Sequence, residues 1–243
     1  MIKPKAIIFD YGHTLIYETR FDPNEAGKAL FDVISENRYG IQKEVFAQEV
    51  ERLYNDLSKA RRQLSLEIPA STLFCVIQDY YNIKFSLNEI ELEEYFWNYL
   101  SPPVAMDGVK GLLEYLYQEE IKTAVISNLW YKNDVLRNRL NKLIPNNHFD
   151  CIISTCEYGF RKPYRIIFDI ALRKMGLQAD EAWFCGDEPV ADIEGAHSAG
   201  IKPIWIDSDI ICPYKFNKQT LPSVSCIKIK ELRELIELVK NCK

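Results

Sequence analysis

Five short runs, Ala6–Phe9, Thr123–Ile126, Cys151–Ser154, Ala182–Cys185 and Pro203–Ile206, are apolar almost throughout and rich in Ile and Val. A strand with apolar side chains on both faces has to be covered on both, which a parallel sheet flanked by helices achieves. Helical patterns stand between the runs. Val109, Leu112, Leu113 and Leu116 fall at the spacing of one helix face, behind a cap expected at Asp107, and Leu232, Leu235, Ile236 and Val239 repeat that spacing. A helix is expected over residues 163–175, opened by Pro163 and stopped by Gly176. The expected fold class is α/β, with a doubly wound parallel sheet.

The alternation breaks once. Between the first run and Pro102-Pro103 no segment needs a place in the sheet, and the patterns are helical. Asp22-Pro23 opens a helix that Gly40 closes, a long one spans Gln42 to Leu64, another follows Pro69, and Ser86-Leu87-Asn88-Glu89 reads as a capping box. Such a stretch is too long for a loop in a compact domain. It is read as a helical insertion over residues 18–102, hinged near Tyr17–Asp22 and Ser101–Asp107, with the sheet domain formed by residues 1–17 and 103–243.

Charge separates the two parts. Residues 18–100 hold 9 basic and 15 acidic side chains, a net −6, while the remainder holds 21 and 20. Phosphate-binding charge is therefore expected on the sheet domain, and Arg61-Arg62 reads as a solvated helix face. Tyr95, Trp97 and Tyr99 read as hinge or core packing, and His148 and His197 as structural or surface residues. The whole chain carries a net charge of −5, which suits it poorly to clamping nucleic acid. No apolar run approaches the ~20 residues of a membrane span, and the four apolar residues before Asp10 are too few for a signal-peptide core. Seven cysteines, at 75, 151, 156, 185, 212, 226 and 242, form no CxxC pair, which suggests reduced thiols and a cytoplasmic protein. Cys151 and Cys156 read as small buried hydrophobes, not as half a zinc site. Oligomeric state leaves no mark in the sequence.

Ligands of open parallel sheets bind beyond the carboxyl ends of the strands. Asp10 ends the first run; Ser127-Asn128 follow the second; Gly186-Asp187-Glu188 follow the fourth, with Asp192 beyond; and Arg161-Lys162-Pro163 precedes a helix. Each has an ordinary explanation alone, as a cap, a turn or a solvated lysine. Gathered at one edge they supply metal ligands, a nucleophile and a cation.

Asp10-x-Gly12-x-Thr14, then Ser127, then Arg161-Lys162-Pro163, then Gly186-Asp187-x-x-x-x-Asp192 stand in the order of the haloacid dehalogenase superfamily. The chain resembles its phosphatase-rich branch, with a Rossmann-like core and a helical cap inserted after the first motif. The resemblance spans Asp10 to Asp192 and implies a phosphatase of small phosphorylated metabolites. By that resemblance Asp10 is the nucleophile, forming an aspartyl-phosphate; Asp10, Gly12 (through its carbonyl) and Asp187 hold Mg²⁺ with Asp192 behind them; Ser127 and Asn128 hold the phosphoryl group; and Lys162 offsets charge and binds phosphate. The need for a cation is also physical: a carboxylate attacking a phosphate dianion is repelled until a divalent ion bridges them.

One position departs from the pattern. Active phosphatases of this superfamily usually carry an aspartate, the general acid and base, where this chain has Gly12. That function contributes roughly 10²–10⁴-fold. His13, Glu188, or a substrate whose leaving group needs no proton are the open replacements. Two other readings stand beside the phosphatase: a phosphate-binding or regulatory protein without turnover, favoured by Gly12, and a metal-free 2-haloacid dehalogenase, disfavoured by Asp187 and Asp192.

Overall fold

In the computed structural model, which describes residues 2–211 and 221–242, the order is β1 (Ala6–Phe9), β2 (Ile16–Glu18), α1 (Pro23–Asp32), β3 (Ile34–Asn37), α2 (Lys43–Leu64), α3 (Ala70–Tyr81), β4 (Ile83–Phe85) and α4 (Glu89–Leu100). Then come β5 (Pro103–Ala105), α5 (Val109–Gln118), β6 (Lys122–Ser127), α6 (Asn133–Leu143), β7 (Cys151–Ser154), α7 (Arg165–Met175) and β8 (Ala182–Gly186). A π-helical turn over Pro189–Glu194 leads into α8 (Gly195–Ser198), β9 (Lys202–Ile206), β10 (Ile227–Ile229) and α9 (Leu232–Lys240).

Six strands form one parallel sheet in the order β10-β9-β8-β1-β6-β7. The five apolar runs are five of them. The sixth, β10, escapes the sequence pattern because it is three residues long with the exposed Lys228 at its centre. β1 is central and wholly buried, and its side chains alternate: Ile7 and Phe9 join one core with Leu112, Leu116 and Leu235, while Ala6 and Ile8 join the other with Phe168 and Leu172. At roughly 1.5–3 kcal/mol per large apolar side chain, burial on both faces fixes the register on which the site depends.

Several helix boundaries differ from the sequence reading. Gly108, at φ 77°, leads straight into α5 with no side-chain cap, so Asp107 is not the cap. α7 begins at Arg165, because Tyr164 N–H closes a turn on the Arg161 carbonyl (2.9 Å) and leaves Pro163 outside the helix; Gly176 ends it at φ 69°. The capping box sits two residues later than expected, with Asn88 and Glu91 exchanging bonds of 3.0 Å, while Ser86 is held to the Val33 carbonyl.

Residues 19–102 are not purely helical. α1 stops at Asp32, short of Gly40, since the next residues enter β3 and pair antiparallel with β4. β2 and β5 pair as a ribbon, Tyr17 opposite Val104, where the chain leaves and rejoins the sheet. α4 lies along α6. Glu89 pairs with Lys132 (2.5 Å), Glu94 with Lys142 (2.8 Å) and Asn138 (2.6 Å), and Trp97 stacks on Tyr131 at 4.3 Å. Arg139 of α6 knots the parts together, donating to Tyr11 Oη (2.8 Å), Asn98 Oδ1 (2.9 Å) and the Ser101 carbonyl, with its guanidinium 4.0 Å over Trp97. Trp97 is thus hinge packing, whereas Tyr95 and Tyr99 pair on the outer side and Tyr99 is exposed. His197 is exposed and His148 stacks on Tyr117 at the surface.

Among the described residues the cysteines are free thiols, with Cys151 buried and Cys156 half-buried; Cys212 lies outside them. No helix of the described residues is long and apolar enough to cross a membrane.

Glu93 of α4 is fully buried against α6, where one oxygen accepts the Lys132 N–H (2.8 Å) and the other has no partner among the described residues. Burial pushes its carboxyl up to about 7, with the Lys132 bond opposing. The folded protein therefore holds a proton that the unfolded chain loses near 4.5, so stability falls as pH rises from about 4.5 through about 7. Glu93→Gln removes that loss. Its melting temperature relative to the wild type is expected to climb between pH 5 and pH 8 in a thermal-denaturation series; a difference independent of pH contradicts this assignment.

Candidate active site

The parallel register decides what meets at the sheet edge. Phe9 lies opposite Val125 of β6 and Cys185 of β8, so Asp10 emerges level with Ile126 and Gly186, flanked one residue on by Ser127 and Asp187. Asp10 N–H donates to the Cys185 carbonyl at 2.9 Å, which fixes the residue at the strand end. Asp192 enters from the π-helical turn. Carboxylate oxygens of Asp10, Asp187 and Asp192 all lie within 4.8 Å of one another.

Lys162 reaches into this cluster from the loop before α7. Its ammonium is 1% exposed and donates to Asp10 Oδ1 (2.6 Å), Asp192 Oδ1 (2.6 Å) and the Ile126 carbonyl (2.9 Å). Burial alone would lower its pKa, but the two carboxylates outweigh burial and hold it above the ordinary lysine value. An ammonium has three hydrogens, and all are taken. Lys162 thus clamps Asp10 and Asp192 together, with no hydrogen left over for a further acceptor in this arrangement.

Asn128 also differs from the role that the resemblance implies. Its carboxamide is spent on the Lys162 backbone, donating to the carbonyl (2.9 Å) and accepting from the N–H (2.7 Å). The side chain positions Lys162, and the residue also lines the cavity. Ser127 is buried at the end of β6 and lines the cavity, as does Gly12.

Asp192 is likewise committed. Oδ1 binds Lys162 and Oδ2 accepts the Glu188 N–H at 2.9 Å, which leaves Asp10 and Asp187 as the better-placed metal ligands. Burial pushes its carboxyl up to about 6 against the pull of Lys162, and the charge of Asp10 adds to the rise. Three carboxylates against one ammonium leave a buried excess of negative charge. An all-oxygen donor set with that excess fits Mg²⁺.

The cluster opens into a cavity of about 470 Å³, lined also by His13, Glu18 and Glu188. His13 and Glu18 lie 3.6 Å apart on its wall. The insertion roofs it. Glu67 N–H donates to the Gly159 carbonyl (2.7 Å), Leu66 bridges Phe160, and Ala70 N–H donates to the Trp130 carbonyl (2.8 Å). The Glu67 carboxylate, with no side-chain exposure, joins Arg61 (2.5 Å) and Arg161 (3.1 Å) and accepts from the Thr155 hydroxyl (2.9 Å). Arg61 is therefore buried at the contact between insertion and sheet, not on a solvated helix face. Glu67 and Glu18 stand in no periodic pattern, so only the folded chain reveals them.

The profile of the haloacid dehalogenase-like hydrolase family matches residues 36–206, which take in Ser127, Lys162, Asp187 and Asp192. A ribulose-1,5-bisphosphate 5-phosphatase of Halopiger xanaduensis is 24% identical over 213 residues, covering 83% of this chain and 84% of that protein. A glyceraldehyde 3-phosphate phosphatase of Methanothermobacter thermautotrophicus is 28% identical over 220 residues, covering 85% and 87%. Among solved structures, a HAD phosphatase from Thermococcus onnurineus superposes with a TM-score of 0.64 at 20% identity, covering 98% of both chains.

Gly186 makes room for Asp192: a Cβ there would lie 2.6 Å from Asp192 Cβ. Gly111, within α5, has nothing within 4 Å of the same added atom. Gly186→Ala is expected to destabilise by about 1–3 kcal/mol, and Gly111→Ala to stabilise by up to about 1 kcal/mol. Denaturant melts of the pair check this; equal effects contradict the close approach at Gly186.

Proposed function

The chain belongs to the haloacid dehalogenase-like hydrolases, and from that premise we propose that it is a Mg²⁺-dependent phosphatase of small phosphorylated metabolites. The observation that carries this reading is the convergence of Asp10, Asp187, Asp192 and Lys162 on one cavity. The relatives, whose names are those of phosphatases of small esters, support the substrate class. An insertion acting as a cap over a cavity of about 470 Å³ leaves room for a metabolite and none for a folded protein.

Asp10 is the nucleophile. Lys162 clamps one of its oxygens and leaves the other to attack phosphorus. The new O–P bond forms as the bond to the leaving oxygen breaks; water then hydrolyses the aspartyl-phosphate, returning the carboxylate and releasing inorganic phosphate. Mg²⁺ held by Asp10, Asp187 and the Gly12 carbonyl would neutralise the charge that opposes the approach of carboxylate and phosphate. Ser127 and the neighbouring main-chain N–H groups hold phosphoryl oxygens, and the closed cap keeps bulk water out. Asp192 holds Lys162 and the Glu188 backbone in place.

Gly12 supplies no proton to the leaving group. His13 and Glu18, 3.6 Å apart, and Glu188 all line the cavity and are the groups available to replace that acid.

A panel of phosphorylated metabolites is expected to include esters from which the wild type releases phosphate. Asp10→Asn and chelation by EDTA each abolish release. Phosphate binding without release from any ester favours the non-catalytic reading, and halide release from a 2-haloacid in EDTA favours a dehalogenase. Gly12→Asp is expected to raise turnover of alkyl phosphates by more than that of p-nitrophenyl phosphate, by up to about 10². Equal gains on both contradict a missing acid.

A further inference from the structure

The cavity above Asp10 continues into a second chamber of about 400 Å³ between the insertion and the sheet; Arg62 and Arg161 line both. The charged residues on the wall of the second chamber are Arg61, Arg62, Arg161 and Glu18. Their compensation is uneven. Glu18 stands 3.6 Å from His13. Glu67, behind the wall, serves Arg61 and Arg161 together. Arg62, exposed in the last turn of α2, has no carboxylate partner among the described residues. The three guanidiniums sit close enough to feel one another: burial pulls Arg161 below the ordinary arginine value, Glu67 opposes, and Arg61 and Arg62 add to the fall.

A second observation points the same way. Tyr131, only 2% exposed, is among the residues lining this chamber, and its buried hydroxyl has no hydrogen-bond partner among the described residues. A buried hydroxyl is rarely left unbonded in a folded protein. A surplus guanidinium and a tyrosine with an unused hydroxyl on the wall of one chamber, next to a phosphoryl site, suit an anionic, oxygen-rich group.

We propose that this chamber receives a second anionic group of the substrate, a carboxylate or a second phosphoryl, held by Arg62 and Arg161, with Tyr131 bonding an oxygen of the same ligand. The inference rests on the phosphatase reading for its first anchor and adds the substrate class: phosphate monoesters that carry another negative charge. Because Arg62 belongs to the insertion and Arg161 to the loop before α7, such a ligand would also tie the two parts together.

Binding tests this without turnover. Titration calorimetry in MgCl₂ compares methylphosphonate, which has one anionic group, with phosphonoacetate and propylene diphosphonate, which carry a carboxylate or a second phosphoryl. The wild type is expected to bind at least one of the latter two about 10–100-fold more tightly than methylphosphonate. Arg62→Gln is expected to reduce that preference to within about threefold, and Arg62→Lys to keep part of it. The better of the two ligands identifies the second group. Equal affinities for all three ligands in the wild type, or a preference that Arg62→Gln leaves intact, overturns the proposal. Retained preference in a protein that releases phosphate from no ester fails the phosphatase reading alone; phosphate release without preference fails this proposal alone.

Discussion

A lysine ammonium buried between two carboxylates is the constraint on which the site is built. Charges of this kind are costly to remove from water and are tolerated only when every donor and acceptor is met. Lys162 meets that condition through Asp10, Asp192 and the Ile126 carbonyl, three stretches of chain far apart in sequence. Its own backbone is held by Asn128, and Asp192 is held by the Glu188 N–H. Truncating one partner of such a buried pair typically costs about 3–5 kcal/mol, so the network holds Asp10 firmly at the strand end.

The contact between insertion and sheet follows the same logic at larger scale. Charged groups pair across the boundary, Glu67 with Arg161, Glu94 with Lys142 and Glu89 with Lys132, while Arg61 holds Glu67 from within the insertion. The partly exposed pairs among these are weak individually and are loosened by salt, while the buried Glu67 cluster is not. Apolar contact crosses the same boundary, with Trp97 stacked on Tyr131 at 4.3 Å and Tyr54 edge-on to Trp130 at 4.9 Å. The surplus of acidic residues in the insertion is real, yet it is spent on the sheet domain and on the surface. The two arginines at the end of α2 are turned the other way, toward the cavity.

Much of the fold is legible in the sequence because parallel strands buried on both faces advertise themselves: Ala6–Phe9 and Cys151–Ser154 are strands to the residue. β3, β4 and β10 do not, because each is interrupted by a charged residue, Glu36, Lys84 and Lys228, and none is an apolar run. Asp10 and Asp187 were legible because each follows an apolar run, and Lys162 and Asp192 through the order of the motifs around them. Roles were harder to read than membership. Asn128 stands where a ligand-binding amide is expected, but its direction depends on a backbone segment 34 residues away. Net charge over residues 18–100 likewise pointed away from Arg61 and Arg62, because a sum over a segment discards where each charge faces.

The central claim is that these distant carboxylates share one divalent ion. Calorimetric titration of the chain with MgCl₂ measures this directly. One saturable site per chain in the wild type, lost in Asp187→Asn, is the predicted result. No saturable binding in the wild type, or binding that Asp187→Asn leaves unchanged, contradicts it.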